Sequence, residues 1–197
     1  MRKSTILILV LLGLAAAPRA ATAIGIGFVP AAQTVGLGAN VAVDVVVTGL
    51  EPDQIVAAFD LDVAYDPLVV TATSVSFGSG LGTLGTEVLT DANLATAGIV
   101  DFAAVSLRSD ADLAASQGDA VTLATLHFTA IALGTSPLTL VSAPPFGIDV
   151  KGLADGILRF DPVGDGSIQV VPEPSTLVLV AAGLLGVGGR ARRRVAR

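Results

Sequence analysis

The chain has 197 residues, no Cys, no Trp, one Tyr and one His, and a net charge of −6. Without cysteine there are no disulfides, no thiol chemistry and no Cys-based zinc sites. The charge is unevenly placed: residues 24–171 hold only Arg108, Lys151 and Arg159 against fourteen Asp plus Glu51 and Glu87, a local −13 that repels nucleic-acid phosphates.

Met1 to Ala23 has the three parts of a secretory signal. Arg2 and Lys3 form a basic start, Ile6 to Leu14 an apolar run, and Ala21-Thr22-Ala23 a small-residue cleavage site, with Ala15-Ala16-Ala17 as an earlier candidate. The other reading is an uncleaved anchor, but the apolar run is short for a ~30 Å hydrocarbon core. Residues 24–171 remain as one domain of ordinary size.

That body alternates with period two. Val41, Val43, Val45 and Val47 share one face of a strand; Ala42, Asp44, Val46 and Thr48 share the other. Phe59, Leu61, Val63 and Tyr65 point one way, Ala58, Asp60, Asp62 and Ala64 the opposite way. Leu126, Phe128 and Ala130 alternate with Thr125, His127 and Thr129, and Leu138 and Leu140 alternate with Thr139. A last strand is expected over Ser167 to Val171. Turn chemistry separates these runs at Gly36 and Gly38, Pro52-Asp53, Asp66-Pro67, Gly78 to Gly85, Gly118-Asp119, Gly134 to Pro137, Pro144-Pro145 and Gly164 to Gly166. Many short strands between Gly and Pro turns predict an all-β sandwich or jelly roll. Two segments, Leu89 to Ala97 and Asp110 to Gln117, read as loop excursions with a brief helix. The abundance of Asp over Glu fits, since Asp favours turns and Glu favours helices.

The order of these pieces resembles a cohesin domain. The residues that carry the likeness are Val41 to Leu50, Ile55 to Val70 with Tyr65-Asp66-Pro67, Ile99 to Ser106, Thr122 to Ala130, Pro137 to Leu140, and Asp165 to Val170. The resemblance implies a nine-strand jelly roll of two packed sheets. It also implies a non-catalytic role, in which one sheet face binds a dockerin module of another protein. Asp60 lies on the strand similar to the family's partner-facing strand, and Asp62 projects the same way. The two are read as a partner-facing patch or, alternatively, as a solvated outer face. Dockerins carry duplicated Asp-rich calcium loops, and this chain has none, so a dockerin-like protein and a matrix polysaccharide both stand as expected partners.

Beyond residue 171 the composition changes. Pro172-Glu173-Pro174-Ser175-Thr176 leads into the apolar run Leu177 to Gly189, then Arg190-Ala191-Arg192-Arg193-Arg194. The prolines separate domain from tail. As a helix the 13-residue run extends ~20 Å, short of the bilayer core unless arginines snorkel and the membrane thins. The arginines hold their end in the cytoplasm. This tail resembles the PEP-CTERM sorting signal, carried by Pro172, Glu173 and Pro174, the apolar segment, and Arg190, Arg192, Arg193 and Arg194. The resemblance implies an exosortase partner, transient residence in the inner membrane through a short C-terminal transmembrane helix, and removal of the tail. Delivery is then to the cell envelope, outer surface or exopolysaccharide matrix of a Gram-negative bacterium. A simple tail anchor is the other reading.

Catalytic chemistry has little foothold. His127, between Leu126 and Phe128, reads as a side chain on a solvent face, and no Gly-x-Ser-x-Gly elbow occurs. Ser76-Phe77-Gly78-Ser79-Gly80 is a flexible loop, with no Lys or Arg near it to hold a phosphate. Asp is plentiful enough for a carboxylate-pair hydrolase, yet the chain lacks aromatic platforms for sugars, and Phe59, Phe102 and Phe128 stand at core positions. No cofactor is expected. Asp149 and Asp161 to Ser167 offer oxygens for calcium, but their spacing matches no full calcium loop, and Asp-Gly is ordinary turn chemistry. The expected function is a non-catalytic binding or adhesion module. The alternatives are a purely structural matrix protein and a secreted polysaccharide-active hydrolase.

Overall fold

A computed structural model describes residues 24–52, 54–141, 148–152 and 164–172, with 148–152 as backbone only. The signal segment and the tail beyond Pro172 lie outside the described residues.

Among the described residues, eleven strands form two sheets. The first sheet has the order β1 (Gly25–Val29), β3 (Asn40–Thr48), β8 (Ala120–Ala130), β5 (Val70–Phe77). The second runs β2 (Ala32–Gly36), β11 (Gly166–Val171), β9 (Gly134–Val141), β4 (Gln54–Ala64), β7 (Ile99–Ser106), β6 (Val88–Asn93), with β10 (Ile148–Gly152) beside β4. All pairings are antiparallel except β2 with β11. The first described strand therefore lies in one sheet and the last in the other, with sequence-distant strands as neighbours.

The inward residues are those the alternation assigns. Val41, Val43, Val45 and Val47 from β3, Phe59, Leu61 and Val63 from β4, and Leu126, Phe128 and Ala130 from β8 are buried in one core cluster. Aromatic pairs lock its middle. Phe59 meets Phe102 edge-on at 5.8 Å, and Tyr65 meets Phe128 edge-on at 5.4 Å. Such pairs add ~1 kcal/mol beyond their burial. Gly78 lets the backbone after β5 press on β8, because a Cβ there would stand 2.0 Å from the Thr122 carbonyl oxygen.

Strict alternation fails near the start of β4. Ile55 and Val56 are adjacent, yet both are fully buried. The pairing of β4 with β10 skips Ala57, so β4 carries a bulge there. Val56 joins the core cluster while Ile55 does not. Helix α1 (Asp110–Ser116) packs on β4 and buries its own Leu113 outside that cluster, covering the displaced face. The Gln117 amide repairs the irregular backbone: Oε1 accepts from Val56 N–H at 2.8 Å, and Nε2 donates to the carbonyls of Val56 at 2.8 Å and Gly80 at 2.9 Å.

The helix expected within Asp110 to Gln117 is present, capped by Ser109, whose Oγ accepts from Asp112 N–H. The excursion expected over Leu89 to Ala97 is instead mostly strand, since β6 pairs with β7 over Val88 to Asn93. All its residues after Val88 are exposed, so the segment shows no inside–outside alternation to read. The strand count also exceeds nine: β2 and β10 are short strips beside longer strands.

Candidate functional site

The outer face of β4, β7 and β6 is a continuous surface with a graded composition. Antiparallel pairing sets its residues in cross-strand rows. One row joins Ala58, Val105 and Leu89; the next Asp60, Ala103 and Asp91; the third Asp62, Asp101 and Asn93. Val141 of β9 extends the third row beyond Asp62. Leu89 is 62% and Val105 47% exposed, so the first row is apolar and open. The other two hold four carboxylates and no cation.

Burial pushes the Asp101 carboxyl above its usual range, and the charges of Asp62, Asp60 and Asp91 push it the same way. The raised value means the folded state resists ionisation of Asp101, so the ionised face at neutral pH stores electrostatic strain that a cation would relieve.

Asp60 and Asp62 thus occupy the common face expected of them, and the fold adds Asp101 and Asp91. Asp101 was legible in the alternation of Val100, Phe102 and Ala104, whose inward burial sends it outward. Asp91 lies on the strand that carries no pattern.

A family profile described as Cohesin domain matches residues 28–150, and one described as PEP-CTERM protein-sorting motif matches residues 170–194. The chain belongs to the cohesin family. Solved cohesins share the fold of this one at low identity. The sixth cohesin of scaffoldin B from Acetivibrio cellulolyticus, solved with a Cel5 dockerin, aligns at TM-score 0.58 and 18% identity, covering 76% of this chain and 100% of that one. The seventh ScaB type I cohesin from Pseudobacteroides cellulosolvens gives 0.55 and 18%, with 77% and 94% covered. The cohesin module of a family 33 glycoside hydrolase from Clostridium perfringens gives 0.52 and 12%, with 77% and 99% covered. No curated protein matches the chain.

Elsewhere on this cohesin, His127, Asp44, Glu87 and Arg108 make bonds within the domain. His127 lies on the outer face of β8, half-buried, with Nε2 3.1 Å from Ser76 Oγ. Among the described residues no carboxylate bonds the imidazole, and Asp44 on the same face accepts from Thr125 Oγ at 2.6 Å. A serine–histidine pair without an orienting acid falls short of a triad. A shallow cleft beside Thr83 is lined by Glu87 and Arg108, but both are engaged. Glu87 accepts from Thr83 N–H at 2.8 Å, a bond that holds its carboxyl below the usual range. The Arg108 guanidinium donates to Ser116 Oγ and to the Asp112 carbonyl. Among the described residues no three His, Asp or Glu converge to hold a metal. Of the calcium candidates, Asp165 is an exposed turn residue, while Asp161 and the Asp149 side chain lie outside the described residues.

The sorting motif joins the domain at β11. Pro172 is exposed, and Glu173, Pro174, Arg190, Arg192, Arg193 and Arg194 lie outside the described residues. Among the described residues no helix is long and apolar enough to cross a membrane.

Proposed function

We propose that this cohesin is a non-catalytic binding module, exported and sorted by an exosortase to the cell surface or exopolysaccharide matrix, whose β4–β7–β6 face receives a protein partner. The observation that carries the reading is the uncompensated set of Asp60, Asp62, Asp91 and Asp101 beside the open apolar row of Ala58, Val105 and Leu89. Like charges placed opposite one another cost stability in the free domain, so the arrangement suits a partner that brings Lys or Arg to the carboxylates and an apolar side chain to Leu89. Such a partner gains affinity from the buried row and encounter rate and register from the charges. A dockerin-like module is the partner class closest to that held by the Acetivibrio cohesin.

The test compares the wild-type chain with Asp60→Lys and Asp62→Lys for capture of a protein from envelope extract, followed by titration of the purified pair. Binding is expected to weaken with rising salt and to be lost in both variants while circular dichroism stays unchanged. Equal affinity of folded variants places the site elsewhere. Turnover of extracted exopolysaccharide by the purified chain, with no saturable protein binding, would favour the hydrolase reading.

A further inference from the structure

The two ends of the sandwich differ sharply in charge. At one end β3 leads to Glu51, β6 is preceded by Glu87, β7 is followed by Arg108, and α1 brings Asp110 and Asp112, with Asp119 just before β8. Exposed Leu84 and Leu107 stand among these charges. The opposite end is built from four turns: Leu37-Gly38-Ala39, Asp66 to Val69, Leu94 to Gly98, and Ile131 to Leu133. Asp66 is the single ionisable residue in them, half-buried, with Oδ1 accepting from Leu68 N–H at 2.9 Å.

This charge-poor end presents aliphatic side chains to solvent: Leu68 is 79% exposed, Leu133 54%, Ile131 48% and Leu37 46%. Backbone bonds hold the turns together. Gly38 N–H donates to the Ala130 carbonyl at 2.9 Å, and Ile131 N–H to the Val69 carbonyl at 2.9 Å. Single exposed aliphatics are ordinary, but four on joined turns, with Asp66 as the one ionisable neighbour in those turns, make a patch.

The C-terminal strand leaves the domain at this end. Leu37 N–H donates to the carbonyl of Val171, the last residue of β11, at 3.2 Å. Five residues, Pro172 to Thr176 with one charge at Glu173, then separate the patch from the apolar run starting at Leu177. Fully extended, five residues reach at most ~18 Å. With residues 177–189 in the membrane, the patch cannot stand far from the headgroups.

We propose that the Leu37, Leu68, Ile131 and Leu133 end is a membrane-contact surface that rests on the bilayer while the C-terminal tail is attached, turning the acidic end away. The proposal rests on the reading of the tail as a membrane segment. Exposed aliphatics reach the shallow headgroup–acyl boundary, whereas the charged side chains of the far end keep their hydration by facing water. The contact orients the β4–β7–β6 face sideways to the membrane, accessible to a partner before the tail is removed.

The test uses a chain that starts at Ile24, ahead of the first strand, and keeps its tail, bound to phosphatidylcholine vesicles with brominated acyl chains. The protein has no Trp, so Leu68→Trp, Leu133→Trp and, at the charged end, Leu107→Trp each place one probe at an exposed position. Emission from Leu68→Trp and Leu133→Trp is expected to be largely lost to bromine, and that from Leu107→Trp to persist. A chain that floats with the vesicles but keeps its tip emission overturns the contact surface and leaves the tail reading intact. A chain that does not float overturns both. Tip emission that is blue-shifted yet indifferent to bromine shows a second copy or the tail covering the patch, and also overturns the bilayer contact. Adding Leu133→Asp to Leu68→Trp should restore emission with unchanged circular dichroism; persistent quenching would contradict a role for Leu133.

Discussion

Asp101 shows how a side chain can be placed against its own stability. It stands directly opposite Asp62 on β4, with Asp60 and Asp91 close by, and its carboxyl titrates above the usual range chiefly because it is partly buried. A raised folded-state value adds stability below the ordinary carboxylate range, and that stability is lost as pH rises through the raised value. At neutral pH the charge is therefore a burden. Asp101→Asn is expected to raise the melting temperature at pH 7 and to leave it nearly unchanged near pH 3, where Asp101 is protonated in either state. Thermal melts at the two pH values check this. Equal gains at both would show that the amide stabilises through packing and not through relief of charge.

At the scale of the element, β4 does most to organise the molecule. Its inward Phe59, Leu61 and Val63 fill the core, its outward Asp60 and Asp62 form the candidate site, and its bulge at Ala57 turns Ile55 beneath α1. The two sides can be tested one residue apart. Leu61→Asp buries a charge in the sandwich and should cost more than about 4 kcal/mol, enough to unfold a marginal domain. Asp62→Asn changes a half-exposed group and should move stability by no more than about 0.5 kcal/mol. Denaturant unfolding of the two variants measures the difference; comparable losses would contradict the facing of β4. The alternation in Phe59-Asp60-Leu61-Asp62-Val63 was plain in the sequence because both sheet faces meet different solvents there. β6 was opaque for the converse reason, being an edge strand whose residues beyond Val88 all meet water.

At the scale of the whole molecule, the described residues form a sandwich with an acidic face on one sheet, a charged end, and an apolar end where β11 leads into the sorting motif. Export and sorting make its two terminal segments temporary under the proposed function. Mass spectrometry of the protein recovered from the cell surface is expected to find the chain beginning at Ile24 and lacking residues 177–189. Recovery of the untrimmed chain from the cytoplasm would contradict the proposal. Among the described residues, the core cluster runs from Ile24 to Val170.

The sequence alone determined the faces of β3, β8 and most of β4, the cohesin and PEP-CTERM resemblances and the outward direction of Asp60 and Asp62. Those depend on local rules: the period of a pleated strand, the turn chemistry of Gly, Pro and Asp, and the order of segments along the chain. Only the tertiary structure decided that Asp91 and Asp101 join them, that Gln117 bonds the backbone of Val56 beside the bulge at Ala57, and that Leu37, Leu68, Ile131 and Leu133 share the end of the sandwich at which β11 finishes. Each of these joins residues distant along the chain through strand pairing or turn packing. No local pattern encodes such a meeting; it exists once two sheets have closed on a shared core.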